Sequence, residues 1–168
     1  ITKPNQFFTF NSIINMRKLI HCTALTLLSF LAFSTAAQAQ WSESKLQTMY
    51  LDFLESEGMS GTIDGDGDVQ FTYSDRTYFI EVNEDDNEFF RVVLPNIWPI
   101  ESVQEGLEVV QACDEVNRSM KCTKAYVTND DVWIAVELFV GSPTDFKPVF
   151  SRCLNAIEQG LETFVEEM

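Results

Sequence analysis

Residues 69–94, VQFTYSDRTYFIEVNEDDNEFFRVVL, decide the fold. Their first half alternates apolar and polar side chains, with the apolar ones at Val69, Phe71, Tyr73, Tyr78, Ile80 and Val82. A period of two is typical of strands with one buried face. Ser74-Asp75-Arg76 forms a tight turn between two such strands, and the acidic run 83–87 separates them from a third, Phe89 to Leu94. We therefore predict an antiparallel meander of three strands.

Amphipathic helices are predicted on both sides of this meander. Before it, one apolar stripe recurs with helical spacing at Leu46, Met49, Tyr50, Phe53 and Leu54. After it, Pro95 and Pro99 bracket a predicted loop that holds Trp98. A second helix follows from about Ser102, with a stripe at Val103, Leu107, Val110 and Cys113 that is widened by Val109, Ala112 and Val116.

The last third of the sequence predicts a hairpin and a closing helix. Residues 122–127 and 132–140 are two strands joined by the turn Asn129-Asp130-Asp131. The final helix carries a long stripe at Phe146, Val149, Phe150, Cys153, Leu154, Ile157, Leu161 and Phe164. The predicted order is α-β-β-β-α-β-β-α. This order indicates a single α+β domain whose five-stranded antiparallel sheet is packed with helices.

An export signal is predicted ahead of this domain. Arg17 and Lys18 precede the apolar run 19–33, and Ala37-Gln38-Ala39 supplies a small-x-small cleavage site. The apolar run is shorter than the roughly 20 residues that span a bilayer, so stable anchoring after cleavage is not expected. We expect residues 1–15 to be an upstream or fragment segment, 16–39 a signal peptide and 40–168 the working domain, which would be periplasmic or secreted.

Charge and histidine content narrow the function of the mature domain. Lys3, Arg17 and Lys18 leave with the signal while all 26 acidic residues remain, so the net charge falls from −15 to −18. Such a field repels nucleic acids and anionic lipid. The single histidine, His21, also leaves, which excludes His-based dyads and zinc sites from the mature domain. We predict neither an enzyme nor a cofactor.

Three longer stretches resemble the YbjN family. They are DGDGDVQF (64–71), YFIEVNEDDNEFFRVVLP (78–95) and CDEVNRSMKCTKAYV (113–127), and the likeness extends from about Leu46 to Phe164. The family is described as bacterial sensory transduction regulators, and it has the fold of type III secretion chaperones. The resemblance implies that fold and no catalytic residues. The likeness to secretion chaperones also implies a homodimer. The antiparallel sheet, the one-sided helices and the aromatic content favour a regulatory or binding module that holds an unknown protein or peptide partner at its sheet edge or on a helix face.

The acidic turn Asp64-Gly65-Asp66-Gly67-Asp68 has the composition of a calcium loop. In an EF-hand, however, the sixth position is Gly and the twelfth is Glu, whereas this chain has Val69 and Asp75 there. A solvated turn is the preferred interpretation. The alternative function is therefore a small calcium-responsive exported protein whose ligands are Asp64, Asp66 and Asp68.

The cysteines and three other residues complete the candidate sites. Cys113, Cys122 and Cys153 lack the C-x-x-C spacing of a thiolate metal site, so we expect no metal there. One disulfide is expected, with Cys113–Cys122 as the candidate and Cys113–Cys153 left open. Asn117 is expected to close the second helix. Trp98 is a candidate surface contact, as is Trp133, although Trp133 is expected more to fill space between the sheet and the helices.

Overall fold

The structure is a computed structural model, and it describes residues 41–168. The predicted upstream segment (1–15) and signal peptide (16–39) lie outside the described residues and stay predictions. Within residues 41–168, no helix is long and apolar enough to cross a membrane.

Three helices and six strands make up the described domain. In chain order they are α1 (Glu43–Ser56), β1 (Gly61–Ile63), β2 (Val69–Tyr73), β3 (Arg76–Ile80), β4 (Phe89–Pro99), α2 (Val103–Ser119), β5 (Thr123–Thr128), β6 (Asp131–Phe139) and α3 (Phe150–Glu167), with a 3-10 turn at Lys147–Val149 before α3. The strands form one sheet in the order β1-β2-β3-β4-β6-β5, and every neighbouring pair is antiparallel. The α+β class is confirmed.

The predicted count of five strands is wrong, because β1 adds a sixth. This strand has three residues and pairs with β2 through Gly61↔Phe71 and Ile63↔Val69. Ile63 is 47% exposed, so the strand lacks the alternation of apolar residues that marks a buried face. A larger residue at Gly61 would crowd the Leu51 side chain, whose Cδ2 would lie 2.9 Å from the added Cβ. The element order is thus α-β-β-β-β-α-β-β-α.

The β2–β3 hairpin follows directly from its turn residues. Ser74 and Asp75 both have positive φ, 47° and 62°, as the two-residue turns that match strand twist require. The turn closes the pair Tyr73↔Arg76 and fixes the register so that Phe71 faces Tyr78. Both of these aromatic side chains are therefore buried on one face of the sheet.

The core lies between that face and all three helices. Phe146 is central to it: its ring stacks on Phe90 with centroids 4.6 Å apart and meets Phe53 edge-on at 4.9 Å. Phe164 of α3 is fully buried in the same cluster. Burial of large aromatic side chains is the main stabilising contribution in a domain of this size.

The buried face of α2 differs from the predicted stripe. Its core residues are Val109, Ala112, Cys113 and Val116. The remaining members of the predicted stripe are exposed, Val103 at 88%, Leu107 at 58% and Val110 at 57%. The helix has apolar residues on two sides, and the sheet and α3 cover only one of them.

Candidate functional site

One concave feature of the described domain is a groove at the point where the register of β3 with β4 ends. The register of these strands runs through Phe79↔Val93 and Ile80↔Val92, and Glu81 donates its N–H to the Arg91 carbonyl at 3.1 Å. Continuing that register would set Thr77 opposite Pro95, which has no N–H to donate. Asn96 then takes a left-handed φ of 54°, and the pairing of β4 with β6 shifts between Leu94 and Trp98. The predicted loop between the prolines is thus an irregular stretch of a long strand.

We call this feature the fork groove, and its volume is about 910 Å³. It is lined by Arg76, Thr77, Phe79, Leu94, Pro95, Asn96, Ile97, Trp98, Glu158, Leu161, Glu162, Val165 and Glu166. The strands supply most of the apolar floor, and α3 supplies one wall. Because the α3 residues are spaced at three and four positions, they share one face of the helix. Apolar clefts of roughly 300–1,000 Å³ are typical of ligand sites.

A polar network closes the inner wall of the groove. The Tyr78 hydroxyl donates a short hydrogen bond to the Glu158 carboxylate, and Arg76 Nη1 lies 3.1 Å from the same carboxylate. Burial, followed by the bond to Glu158, raises the pKa of Tyr78 far above its usual value, so the hydroxyl keeps its proton. The charge of Glu158 is therefore balanced within the protein.

Trp98, a predicted contact residue, lies in the floor of the groove. Its indole Nε1 donates to Glu105 Oε1 at 3.0 Å, and its ring meets Phe164 edge-on with centroids 6.0 Å apart. Glu105 also accepts the N–H of Glu101 at 2.8 Å, and these hydrogen bonds hold the pKa of Glu105 below its ordinary value. The first turn of α2 thus fixes the orientation of the indole.

Trp133 lies on the helix-free face of the sheet, because its neighbours Val132 and Ile134 point into the core. The expectation that it fills the space between sheet and helices is wrong, since strand alternation turns it outward. Its Nε1 donates to Asn96 Oδ1 at 3.0 Å, so it braces the irregular stretch of β4. Its ring also lies against Tyr126, with centroids 6.3 Å apart.

The charged groups around Trp133 are paired with one another. Arg91 lies between Glu81 and Glu137 and donates to the Tyr126 hydroxyl, while Lys124 Nζ is 3.2 Å from Glu137. The helix-free face therefore carries balanced charge around these aromatic rings, in contrast to the outer rim of the fork groove.

Asn117 joins α2 to the edge strand β5. Its Nδ2 donates to the Ala125 carbonyl at 2.9 Å, and its Oδ1 accepts the Ala125 N–H at 2.8 Å. The side chain thus occupies the open edge of β5 at this residue, where another chain would otherwise pair. Asn117 has a structural role, but it acts on the strand and not on the helix carbonyls.

The acidic turn uses its carboxylates to hold its own backbone. Asp64 Oδ1 accepts the N–H groups of Asp66 and Asp68 at 2.9 Å each, and Asp68 Oδ1 accepts the Val82 N–H at 2.8 Å. Burial and the neighbouring acids raise the pKa of Asp68 despite that last bond. Within residues 41–168, no group of three metal-ligating side chains converges. The geometry favours the turn over a cation site.

All three cysteines of the described domain carry free thiols. Cys113 and Cys153 are buried, and burial raises the pKa of each thiol to about 11. Cys122 is exposed, with a left-handed φ of 60° before β5. The Cys113–Cys122 bond is not formed in this structure, where one thiol faces the core and the other solvent. A disulfide in the oxidised protein stays a prediction.

Sequence reasoning named Trp98 but missed the rest of the fork groove. Glu158, Glu162 and Glu166 recur at every fourth residue of α3, directly beside its apolar stripe, and this signal was available. The position of Thr77 and Phe79 near that helix could not be read from the sequence, because it depends on where the register of β3 with β4 ends.

Comparisons with known proteins agree with this architecture. The YbjN family model, described as "Putative bacterial sensory transduction regulator", matches residues 51–167. No curated protein matches the chain. One similar solved structure is titled "Structure of the HopA1-SchA Chaperone-Effector Complex", with a TM-score of 0.51 and 11% identity over 74% of this chain and 98% of that one.

A second similar structure is that of "YbjN, a putative transcription regulator from E. coli". Its TM-score is 0.50 at 16% identity, covering 71% of this chain and 88% of that one. Both neighbours share the fold, and the family model spans well over half of the sequence. The resemblance seen in the sequence is confirmed, and the chain belongs to the YbjN family.

Proposed function

We propose that the protein is a non-enzymatic regulatory module that binds a partner protein or peptide in the fork groove. The observation that carries the proposal is a partly apolar groove at the point where the register of β3 with β4 ends. Groove residues such as Val165, which is 53% exposed, gain burial only from a bound partner.

The chemistry of the groove supports binding over catalysis. Paired catalytic carboxylates need contrasting environments that separate their pKa values. Here Glu158 is already bound by Tyr78 and Arg76, whereas Glu162 and Glu166 are both exposed. The fold also supports a binding role, since one chain of similar fold comes from a chaperone–effector complex. No observation of the acidic turn favours the calcium-responsive alternative.

Site-specific photocrosslinking tests the proposal. A photoreactive phenylalanine replaces Val165 in the groove or, as the matched control, Val127, which is 42% exposed on β5. In cells, the Val165 probe is expected to capture a partner of one defined mass that the Val127 probe does not. Equal capture from both positions would contradict a groove site.

Export is a further part of the proposal, and it is supported by the signal-like segment 16–39 in the sequence. The mature protein is then periplasmic or secreted and begins at Gln40. N-terminal sequencing of the protein recovered from outside the cytoplasm tests this. A cytoplasmic protein that still carries Arg17 and Lys18 would contradict it.

A homodimer is the last part of the proposal. Its support is the outer stripe of α2, where Val103, Leu107 and Val110 are exposed at helical spacing. Light scattering at high concentration is expected to give twice the chain mass. Leu107→Glu is expected to give a monomer, whereas Gln104→Glu, the same added charge outside the stripe, keeps the dimer. A monomeric wild-type protein would contradict this part.

A further inference from the structure

The turn between α2 and β5 holds a cysteine in a backbone conformation that cysteine rarely adopts. Cys122 has a φ of 60°, and the residue is exposed. The other non-Gly residues with positive φ in residues 41–168 are all Ser, Asp or Asn. Short polar side chains of that kind can hydrogen-bond locally in this conformation, whereas Cys has no such compensation. A role for the thiol itself would explain why Cys stands at this position.

Helix α3 lies beside this turn. A cleft of about 470 Å³ lies between them, lined by 119–121 on one side and by side chains of α3 from Arg152 to Gln159 on the other. Cys122 directly follows the first of these segments, and Cys153 directly follows Arg152. The two cysteines therefore flank the same cleft from opposite sides.

The contact between α3 and the start of β5 is close. Cys153, Ile157 and Gly160 are buried and share one face of α3, because they follow one another at four and three positions. A Cβ added at Gly160 would lie 3.1 Å from Thr123 Cγ2. The residue after Cys122 therefore touches the same face of α3 that carries Cys153.

The two thiols are close enough for the charge of one to act on the other. Burial raises the pKa of Cys153, and a thiolate at Cys122 raises it further, whereas Arg152 lowers it. The pKa of Cys113 is raised by burial alone, so neither of these thiols acts on it. Cys113 also lies six residues before the end of α2 at Ser119, about 9 Å further along the helix axis. The fold thus brings together Cys122 and Cys153.

We propose that Cys122 and Cys153 form a disulfide bond that ties the turn after α2 to α3. This pairing differs from Cys113–Cys122 and Cys113–Cys153, the pairings expected from the sequence. Both thiols are free in this structure, so the bond needs an oxidant and closure of the exposed turn onto the helix. The site is independent of the fork groove and of any partner bound there.

Thiol–disulfide exchange supplies the chemistry, with a disulfide such as oxidised glutathione as the oxidant. The exposed Cys122 thiolate attacks one sulfur of the oxidant, whose S–S bond breaks and releases one thiolate. The Cys153 thiolate then attacks the Cys122 sulfur of this mixed disulfide and displaces the second thiolate. The two cysteines lose two electrons and two protons, and the oxidant takes up both as it becomes two thiols. Disulfide oxidants of this class persist outside the cytoplasm, where the proposed export would place the protein.

The charge of the cleft favours this reaction. Among the described residues, its lining holds the cations Lys121 and Arg152 and no carboxylate, although the whole chain has a net charge of −15. Positive charge at the cleft stabilises an attacking thiolate and attracts oxidised glutathione, which is anionic.

Tryptic mapping of the oxidised protein tests the pairing. Trypsin places the four cysteines of the chain in four peptides, 19–45, 92–118, 122–124 and 153–168, so each possible bond gives a distinct mass. The folded protein is treated with oxidised glutathione, free thiols are blocked with N-ethylmaleimide in urea, and the digest is analysed without reduction. We expect 122–124 to be linked to 153–168, with Cys113 blocked. The link is expected to persist in Cys113→Ala and to be absent from Cys122→Ser.

Three results of this mapping would overturn the proposal. One is a link from 122–124 or 153–168 to either of the other two peptides. Another is a blocked thiol at both Cys122 and Cys153 after oxidation. The third is a dimer joined through Cys122 on a non-reducing gel, because the exposed thiol would then pair with a second chain.

Thermal unfolding shows whether the bond belongs to the native fold. In Cys113→Ala, the oxidised protein is expected to melt at least about 5 °C above its reduced form, because a bond between residues 31 positions apart restricts the unfolded chain. The matched control Cys113→Ala/Cys122→Ser, given the same oxidant, is expected to show no shift. An oxidised Cys113→Ala protein that melts at or below its reduced form would overturn a native bond.

Discussion

Replacing Asn117 by Ala tests how the edge of the sheet is held. The substitution removes two hydrogen bonds, of 2.9 and 2.8 Å, to the backbone of Ala125. Ala125 is only 3% exposed, so its N–H and C=O would lose their side-chain partner in a site that water reaches poorly. Leaving a buried polar group unsatisfied costs about 1–3 kcal/mol. We expect the free energy of unfolding to fall by about 2–4 kcal/mol.

Urea unfolding followed by circular dichroism measures this loss. The matched control is Asn155→Ala, the same change at an exposed residue of α3 for which the structure gives no hydrogen bond. It is expected to alter the free energy by less than about 0.5 kcal/mol. If Asn117→Ala also changed the free energy of unfolding by less than about 0.5 kcal/mol, the structural role of the amide would be refuted. The pairing with Ala125 would then contribute nothing to stability.

Two further predictions concern buried titratable groups. Burial raises the pKa of Tyr50 to about 12, so the stabilisation from its neutral form is complete below pH 10 and is lost as pH rises towards 12. Two pKa units correspond to about 3 kcal/mol of folding free energy. Urea unfolding between pH 10 and 12 is expected to show that Tyr50→Phe loses less stability than the wild type. Equal losses would contradict the raised pKa of Tyr50. In the reduced protein, iodoacetamide is expected to modify exposed Cys122 first. For Cys113 and Cys153, a pKa of about 11 lowers the thiolate fraction about a hundredfold relative to an ordinary thiol. Mass spectrometry measures the rate at which each thiol is modified, and equal rates for all three cysteines would contradict the burial of these two.

Most of the fold followed from periodicity in the sequence. The alternation at 69–82 and the turn residues Ser74 and Asp75 are sufficient to predict the central hairpin. Strand β1 was not predicted, because three residues are too few to show an alternation of apolar and polar side chains and because Ile63 is exposed. Pro95 was expected to end β4, but a strand tolerates Pro where no ladder partner needs its N–H, which is the case at the fork.

Helix α2 shows why periodicity alone could not select the buried face. Val103, Leu107 and Val110 fit one apolar stripe, and Val109, Ala112 and Val116 fit another, so the helix offers two candidate faces. Only packing against the sheet and α3 decides between them, and this packing buries the second set.

The fork groove was beyond prediction for a related reason. It combines three distant segments, around Thr77, Leu94 and Leu161, and none of them has a motif of its own. The Tyr78–Glu158 bond joins residues 80 positions apart in the sequence. Such a site depends on the tertiary arrangement, whereas Trp98 could be singled out because prolines flank it.

The central claim is that the fork groove binds a partner protein or peptide, and NMR shift mapping with the partner captured through Val165 tests it most directly. We predict that amide shifts on titration cluster at 76–79, 94–98 and 158–166. Shifts confined to the outer face of α2 or to the helix-free face around Trp133, with the groove unchanged at saturation, would contradict the claim.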